Sequence, residues 1–227
     1  MRKYIILFLA ANPNGTPRSA LDEECTAIER ELRMTAGRND FDFRSKWAVS
    51  IDELLRHLNE LQPTVIHFSG HSGSDDDIYF LNDQRRPMPT YRDIGVAASA
   101  GIQLQDEQRQ AQHVSAWALS QVIRSAAPST RLLVLNASFS DAAAQSLCDV
   151  VDCVVGMRGA IGDDAARAFS VGFYRALGYR RSVGNAVAQA VATLAAKQLS
   201  DEYLPVCWTR SGVSADCVTL PTRASRR

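Results

Sequence analysis

Two side chains in this sequence combine the right types and settings for nucleophilic chemistry, Ser138 and His71. Ser138 follows Leu132-Leu-Val-Leu-Asn-Ala137, and an Ala-rich stretch begins just beyond it at Asp141. His71 closes the run Thr64-Val-Ile-His-Phe-Ser-Gly-His71 and is followed by Ser72 and Gly73. A short apolar run ended by turn residues reads as a strand buried on both faces. Polar residues at the carboxyl ends of such strands lie where open α/β sheets bind ligands. If the two strands are parallel neighbours, a nucleophile and a base face each other across one edge.

The elements that must hold them alternate along the chain. Strands are expected at residues 4–9, 41–47, 64–68, 132–135, 153–157 and 204–209, the second less buried because apolar and charged residues alternate. Helices are expected at 19–34 with Ser19 as cap, at 50–61 behind the Ser50-Ile-Asp-Glu53 capping box, and at 115–126 with Ser115 as cap. Three more are expected at 141–151, 163–177 and 183–199. Leu21, Cys25, Ile28 and Leu32 supply the buried stripe of the first helix. Asp22, Glu23 and Glu24 suit the dipole at its first turn. Strand–helix alternation implies βαβ units and a mainly parallel sheet covered on both faces. Residues 84–99 read as an insertion. Residues 102–106 and 112–115 read as a hairpin at the sheet's edge, with a Gln-rich helix as the alternative. The expectation is a single domain over 1–220, with an insertion near 84–115 and a basic tail at 221–227.

Composition narrows the function classes. Lys+Arg and Asp+Glu are equal at 25 each, which gives no bulk electrostatic attraction to nucleic acid or an anionic membrane. The five cysteines have no CxxC or metal-ligand spacing, which reads as reduced thiols in a cytoplasmic protein, with no metal or other cofactor. The apolar start at Tyr4 runs into Asn12-Pro-Asn-Gly15 without a cleavage site, so a core strand is expected rather than a signal peptide. No run approaches the length of a membrane span. There is no G-x-S-x-G elbow, Walker loop or dinucleotide fingerprint.

Three stretches, Phe8-Leu-Ala-Ala-Asn-Pro13 with its acidic helix, His67-Phe-Ser-Gly-His71 and Leu135-Asn-Ala-Ser-Phe-Ser-Asp141, together resemble the CHAT group of caspase-like cysteine peptidases. Val155-Gly-Met-Arg158 and Phe173-Tyr174 also fit. The resemblance implies a three-layer sandwich, a six-stranded and mainly parallel sheet with helices on both faces, and peptide-bond hydrolysis by a Cys-His dyad. His71 falls on the family's catalytic histidine. Ser138 falls on the nucleophile, which is cysteine in the family. Ser72 stands where the family has glycine. The backbone N–H groups of Ser72, Gly73 and Ser138 are the expected oxyanion donors.

Serine at 138 alters the chemistry. A thiol of reference pKa about 8.5 becomes thiolate beside an imidazolium, whereas a hydroxyl is far less acidic. The chain is therefore expected to be inactive or severely impaired. An engineered Cys→Ser exchange, a natural pseudo-peptidase and a working Ser-His enzyme are the three accounts of the serine.

The other polar residues have simpler readings beside the functional ones. His67 is expected in the core and His57 and His113 at the surface. Ser140 and Asp141 are expected to cap the following helix, and Ser69 to bond its own turn. Asp163 and Asp164 either cap their helix or bind a basic P1 side chain, with Arg158 nearby as a third substrate contact. Asp75, Asp76 and Asp77 read as a solvated turn, or as charges that raise the proton affinity of His71 or attract a basic substrate strand. The resemblance further implies a protein substrate in bacterial defence or signalling. Because no sensor, TPR or death-fold segment is apparent, a separate sensor or activator protein is expected, with no direct nucleic-acid or membrane partner. The alternative is a peptide-binding adaptor that keeps the cleft and has lost the chemistry.

Overall fold

The computed structural model describes residues 3–16, 19–72 and 100–220. Its six-stranded sheet comprises β1 (Tyr4–Ala10), β2 (Phe41–Trp47), β3 (Val65–Ser69), β7 (Leu132–Asn136), β8 (Cys153–Met157) and β9 (Pro205–Thr209), in the order β2-β1-β3-β7-β8-β9. All neighbours are parallel except β8 and β9. The strand order reverses at β1 and β3, so β3 and β7 become central neighbours although facing residues such as Ser69 and Asn136 are 67 positions apart.

The alternation of side chains along each strand sends one set to each face. Ile6 and Phe8 of β1, Val65 of β3 and Val134 of β7 pack under α1 (Leu21–Met34), α5 (Asp163–Gly178) and α6 (Val183–Ala196). Leu7, Leu9, Ile66, Phe68, Leu133 and Leu135 pack under α2 (Ile51–Leu61), α3 (Ala116–Ala126) and α4 (Asp141–Leu147). The expected layered α/β architecture is thus the observed one. Each large apolar side chain shut into these layers contributes about 1.5–3 kcal/mol by leaving water.

Local signals held at several helix starts. Ser50 and Glu53 form the capping box, and Ser115 accepts from the Ala118 N–H at 3.2 Å. Others did not. The cap position of α1 is Ala20 rather than Ser19; no side chain closes it, and the Ala20 N–H donates to Asp163 Oδ2 at 3.3 Å. Helix α4 stops at Leu147 instead of reaching residue 151, and the chain turns there to enter β8. His57 and His113 are half-buried, not superficial.

The expected hairpin forms, as β5 (Gly101–Gln105) and β6 (Ala111–Ser115), but not at the edge of the main sheet. It builds a separate three-stranded sheet with β4 (His71–Ser72), in which His71 faces Gln103 and Ser72 faces Ile102. Both flanks of β3 are already taken by β1 and β7, so the chain beyond Ser69 must leave the main sheet to find partners. The expected insertion at 84–99, the acidic turn at 75–77 and the tail at 221–227 lie outside the described residues. Among the described residues no helix is long and apolar enough to cross a membrane.

Candidate active site

Parallel pairing of β3 with β7 puts Ser69 opposite Asn136 at the carboxyl edge. Two residues beyond each lie His71 and Ser138. Both line one cleft of about 420 Å³, together with Glu24, Ser69, Gly70, Asn136, Phe139, Ile161 and Asp163. The Ser72 hydroxyl donates to the Ser138 carbonyl, tying the two loops directly together.

The nucleophile-position loop is held from below. Ser140 is buried, its hydroxyl donates to the Leu135 carbonyl at 2.8 Å, and its oxygen accepts from the Met157 N–H at 3.0 Å. It stands at the N-cap of α4 but its side chain makes no capping bond, since both strand ends claim it. Asp141 likewise accepts from Trp208 Nε1 at 2.6 Å instead of closing its own helix. Phe139 adopts a left-handed backbone with φ of 57° and remains exposed, a conformation that turns the chain sharply after Ser138. Ser138 Oγ accepts from the Ile161 N–H at 3.1 Å.

The histidine loop has its own restraints. His71 Nε2 lies 3.3 Å from Asn12 Oδ1, and Asn12 follows β1. Gly70 lets this loop approach β1 closely: a Cβ there would lie 2.5 Å from the Ala11 carbonyl oxygen.

Beneath both loops is a buried polar cluster centred on Glu24. Its Oε1 accepts from Asn136 Nδ2 at 2.6 Å and from the Ser170 hydroxyl at 2.6 Å, and lies 3.0 Å from His67 Nε2. Its other oxygen accepts from the Ser69 hydroxyl. His67 Nδ1 sits 3.0 Å from the Tyr174 hydroxyl, and its ring stacks on Phe8. Burial raises the Glu24 pKa, but His67 and the hydrogen bonds from His67, Ser170 and Ser69 lower it further, leaving it below its ordinary value. Desolvation pushes the Tyr174 phenol well above its usual range. His67 is therefore the expected core residue, with a polar partner that the sequence reading did not assign. Ser69 bonds Glu24 rather than its own turn.

The acidic pair divides. Asp163 lines the cleft and accepts from the Ala20 N–H. Asp164 is exposed and pairs with Arg167 at 2.5 Å, outside the cleft lining. Arg158 is exposed at the end of β8, its N–H bonded to the Leu204 carbonyl, and does not line the cleft. Ser72 is in β4, and Gly73 lies outside the described residues. Asn12 and Glu24 are the residues that sequence reasoning missed. Glu24 had a signal, since it shares its helix face with Leu21 and Ile28.

Fold and site together define a three-layer α/β protein with a histidine and a serine lining one cleft at the carboxyl edge of its sheet. Residues 7–215 match the model of the CHAT domain family, and the chain belongs to that family, as its motifs implied. A Roc-COR-CHAT protease from an unknown prokaryotic organism is 24% identical over 200 residues, which cover 85% of this chain and 17% of that protein. The chain thus spans less than a fifth of that relative's length. Among solved structures it is similar to a secreted C11 cysteine protease from Bacteroides thetaiotaomicron in complex with an irreversible peptide inhibitor. That match has 13% identity and a TM-score of 0.46, covering 79% of this chain and 58% of that one. A second structure of a secreted C11 cysteine protease from that bacterium, "iotapain", matches at 11% identity and a TM-score of 0.46, covering 86% and 70%.

Proposed function

We propose that this chain is an endopeptidase module of the CHAT family in which Ser138 holds the nucleophile position and silences the chemistry. The observation that carries the reading is the convergence of His71 and Ser138 on one cleft, from adjacent parallel strands, with Ser72 bonded to the Ser138 carbonyl.

With cysteine at 138, the thiolate attacks the scissile carbonyl carbon, the C–N bond breaks as His71 gives a proton to the leaving amine, and water then cleaves the thioester to free the acid and restore the thiol. The oxygen that becomes negative is met by backbone N–H groups, for which Ser72, Gly73 and residue 138 are the candidates. With serine, the same histidine must remove a proton from a far weaker acid, and turnover collapses. Asp163 is the candidate carboxylate for a basic P1 side chain, because it lines the cleft. Asp164 and Arg158 support a substrate role less, one being paired with Arg167 and the other lying away from the cleft. The substrate is a protein partner, the setting bacterial defence or signalling, and the trigger a sensor or activator protein.

The test compares this chain with Ser138→Cys and with Ser138→Cys/His71→Ala on fluorogenic peptides bearing Arg, Lys, Asp or Leu at P1, and on proteins encoded beside it. Cleavage by Ser138→Cys alone is the expected result. Equal cleavage by the unaltered chain would instead make the serine a working nucleophile.

A peptide-binding adaptor is the second reading. It is favoured by the Ser138 hydroxyl accepting from the Ile161 N–H, which gives the serine a structural role in a cleft that stays open. It requires stable binding of a native partner peptide, unchanged by Ser138→Cys and without cleavage.

A further inference from the structure

We propose that Asn12 is a positioning residue for His71, making the site a nucleophile–histidine–asparagine arrangement. This rests on the peptidase reading above.

The contact is directional. Asn12 Nδ2 donates to the Ser19 carbonyl at 3.4 Å, which turns Oδ1 toward His71 Nε2, 3.3 Å away. An amide oxygen only accepts, so the imidazole must carry its hydrogen on Nε2. The lone pair of the neutral ring then resides on Nδ1, and that is the nitrogen that takes the nucleophile's proton. When the ring becomes imidazolium, the same oxygen faces a stronger donor, so the contact strengthens as charge develops.

Asn12 is itself held on several sides. Its carbonyl accepts from Gln105 Nε2 at 3.2 Å, and Gln105 is buried in β5. The preceding Ala11 N–H donates to the Ser69 carbonyl at 3.2 Å, and the Asn14 N–H donates to the Arg109 carbonyl at 2.8 Å. Strand β5 also pairs with β4, where His71 faces Gln103. Strand β5 therefore meets both the histidine and its orienting residue, His71 opposite Gln103 and Asn12 through Gln105. A loop asparagine that served only to close a turn would need none of these long-range ties.

Two measurements test the assignment. The first follows His71 by NMR pH titration in the unaltered chain, which requires no catalysis. Asn12→Asp keeps an oxygen at the contact and adds a charge, so the His71 pKa must move upward; an unmoved titration overturns the contact. The second reads the thiol introduced by Ser138→Cys, through its iodoacetamide alkylation rate resolved by peptide mass spectrometry. Asn12→Ala is expected to lower that rate at pH 7 by about tenfold, a part of the roughly 10²–10⁴-fold that a positioned general base supplies. Asn12→Asp is expected to preserve the rate and extend the reactive thiolate–imidazolium window to higher pH. A rate within about twofold of the parent for Asn12→Ala, or an unchanged pH profile for Asn12→Asp, overturns the positioning role. If His71→Ala leaves the rate unchanged, the peptidase reading fails and this proposal falls with it. That outcome is distinct from loss of Asn12 dependence alone.

Discussion

Glu24 Oε1 and His67 Nε2 lie 3.0 Å apart at the centre of the molecule, with the histidine side chain fully shut from solvent and the carboxylate nearly so. The pair joins helix α1 to strand β3. Through Asn136 and Ser170 it also holds β7 and α5, so the two strands that lead to His71 and Ser138 are tied to one carboxylate. A buried charge is tolerated only when hydrogen-bonded, and here four side chains meet that requirement.

Removing that carboxylate should be costly. Glu24→Ala leaves Asn136, Ser69, Ser170 and His67 without their shared partner, and breaking a buried pair costs about 3–5 kcal/mol. The pH dependence has a definite sign. The folded pKa is depressed below 4.5, so the stability it supplies is complete above the unfolded value and is lost as pH falls through the folded one. Urea midpoints from pH 7 down to 3 should therefore show the gap between the parent and Glu24→Gln narrowing as the solution becomes acid.

Gly70 offers a second check, on the spacing of the histidine loop. A Cβ at this position would meet the Ala11 carbonyl oxygen at 2.5 Å and the Phe68 ring at 3.0 Å. Both contacts are closer than van der Waals distance, and one involves backbone that cannot swing aside. Gly70→Ala should cost about 1–3 kcal/mol, as overpacking does. It should also displace His71 from Asn12. Thermal melts measure the first effect, and loss of thiol reactivity in a Ser138→Cys background measures the second.

Much of this was legible in the sequence. The apolar runs at Val65 and Leu132 specified buried strands, because the pattern needs burial on two faces and only a central parallel position supplies it. The Ser50–Glu53 box and the Ser115 cap were local signals with local consequences. Asn12 and Glu24 were not assigned, because their partners are 59 and 43 residues away. Glu24 looked like one of three acids serving a helix dipole, and only the packing of α1 on β3 turns it inward. Ser140 and Asp141 misled for the same reason: tertiary partners outcompete the caps that their residue types suggest.

Cys25, Cys148 and Cys153 should stay quiet in any alkylation assay of position 138. Desolvation pushes the Cys25 thiol up to about 11 and raises Cys148 as well, while Cys153 is raised by its hydrogen bond with Cys207 and by burial. Near pH 7.5 these groups are thiols, which react far more slowly than thiolates. Cys217 is exposed, so it should label first in the folded chain, and Cys25 and Cys153 only after denaturant is added. Early labelling of Cys25 would show that α1 opens readily.

Asp163 is where substrate preference should be readable. It lines the cleft with Ser138 and His71, and its Oδ2 is shared only with the exposed Ala20 N–H among the bonds described. A basic P1 side chain entering there gains a carboxylate partner that is solvent-accessible, so the gain is modest. In a Ser138→Cys background, Asp163→Asn should reduce kcat/KM for Arg and Lys substrates by about tenfold, equivalent to about 1.4 kcal/mol, and leave Leu substrates unchanged. Asp164→Asn should have no such effect, because that carboxylate is engaged by Arg167 outside the cleft. The decisive quantity is the Arg-to-Leu ratio in the two variants. An equal fall for every P1 residue would make Asp163 a support for the start of α1, acting through Ala20, and no reader of charge.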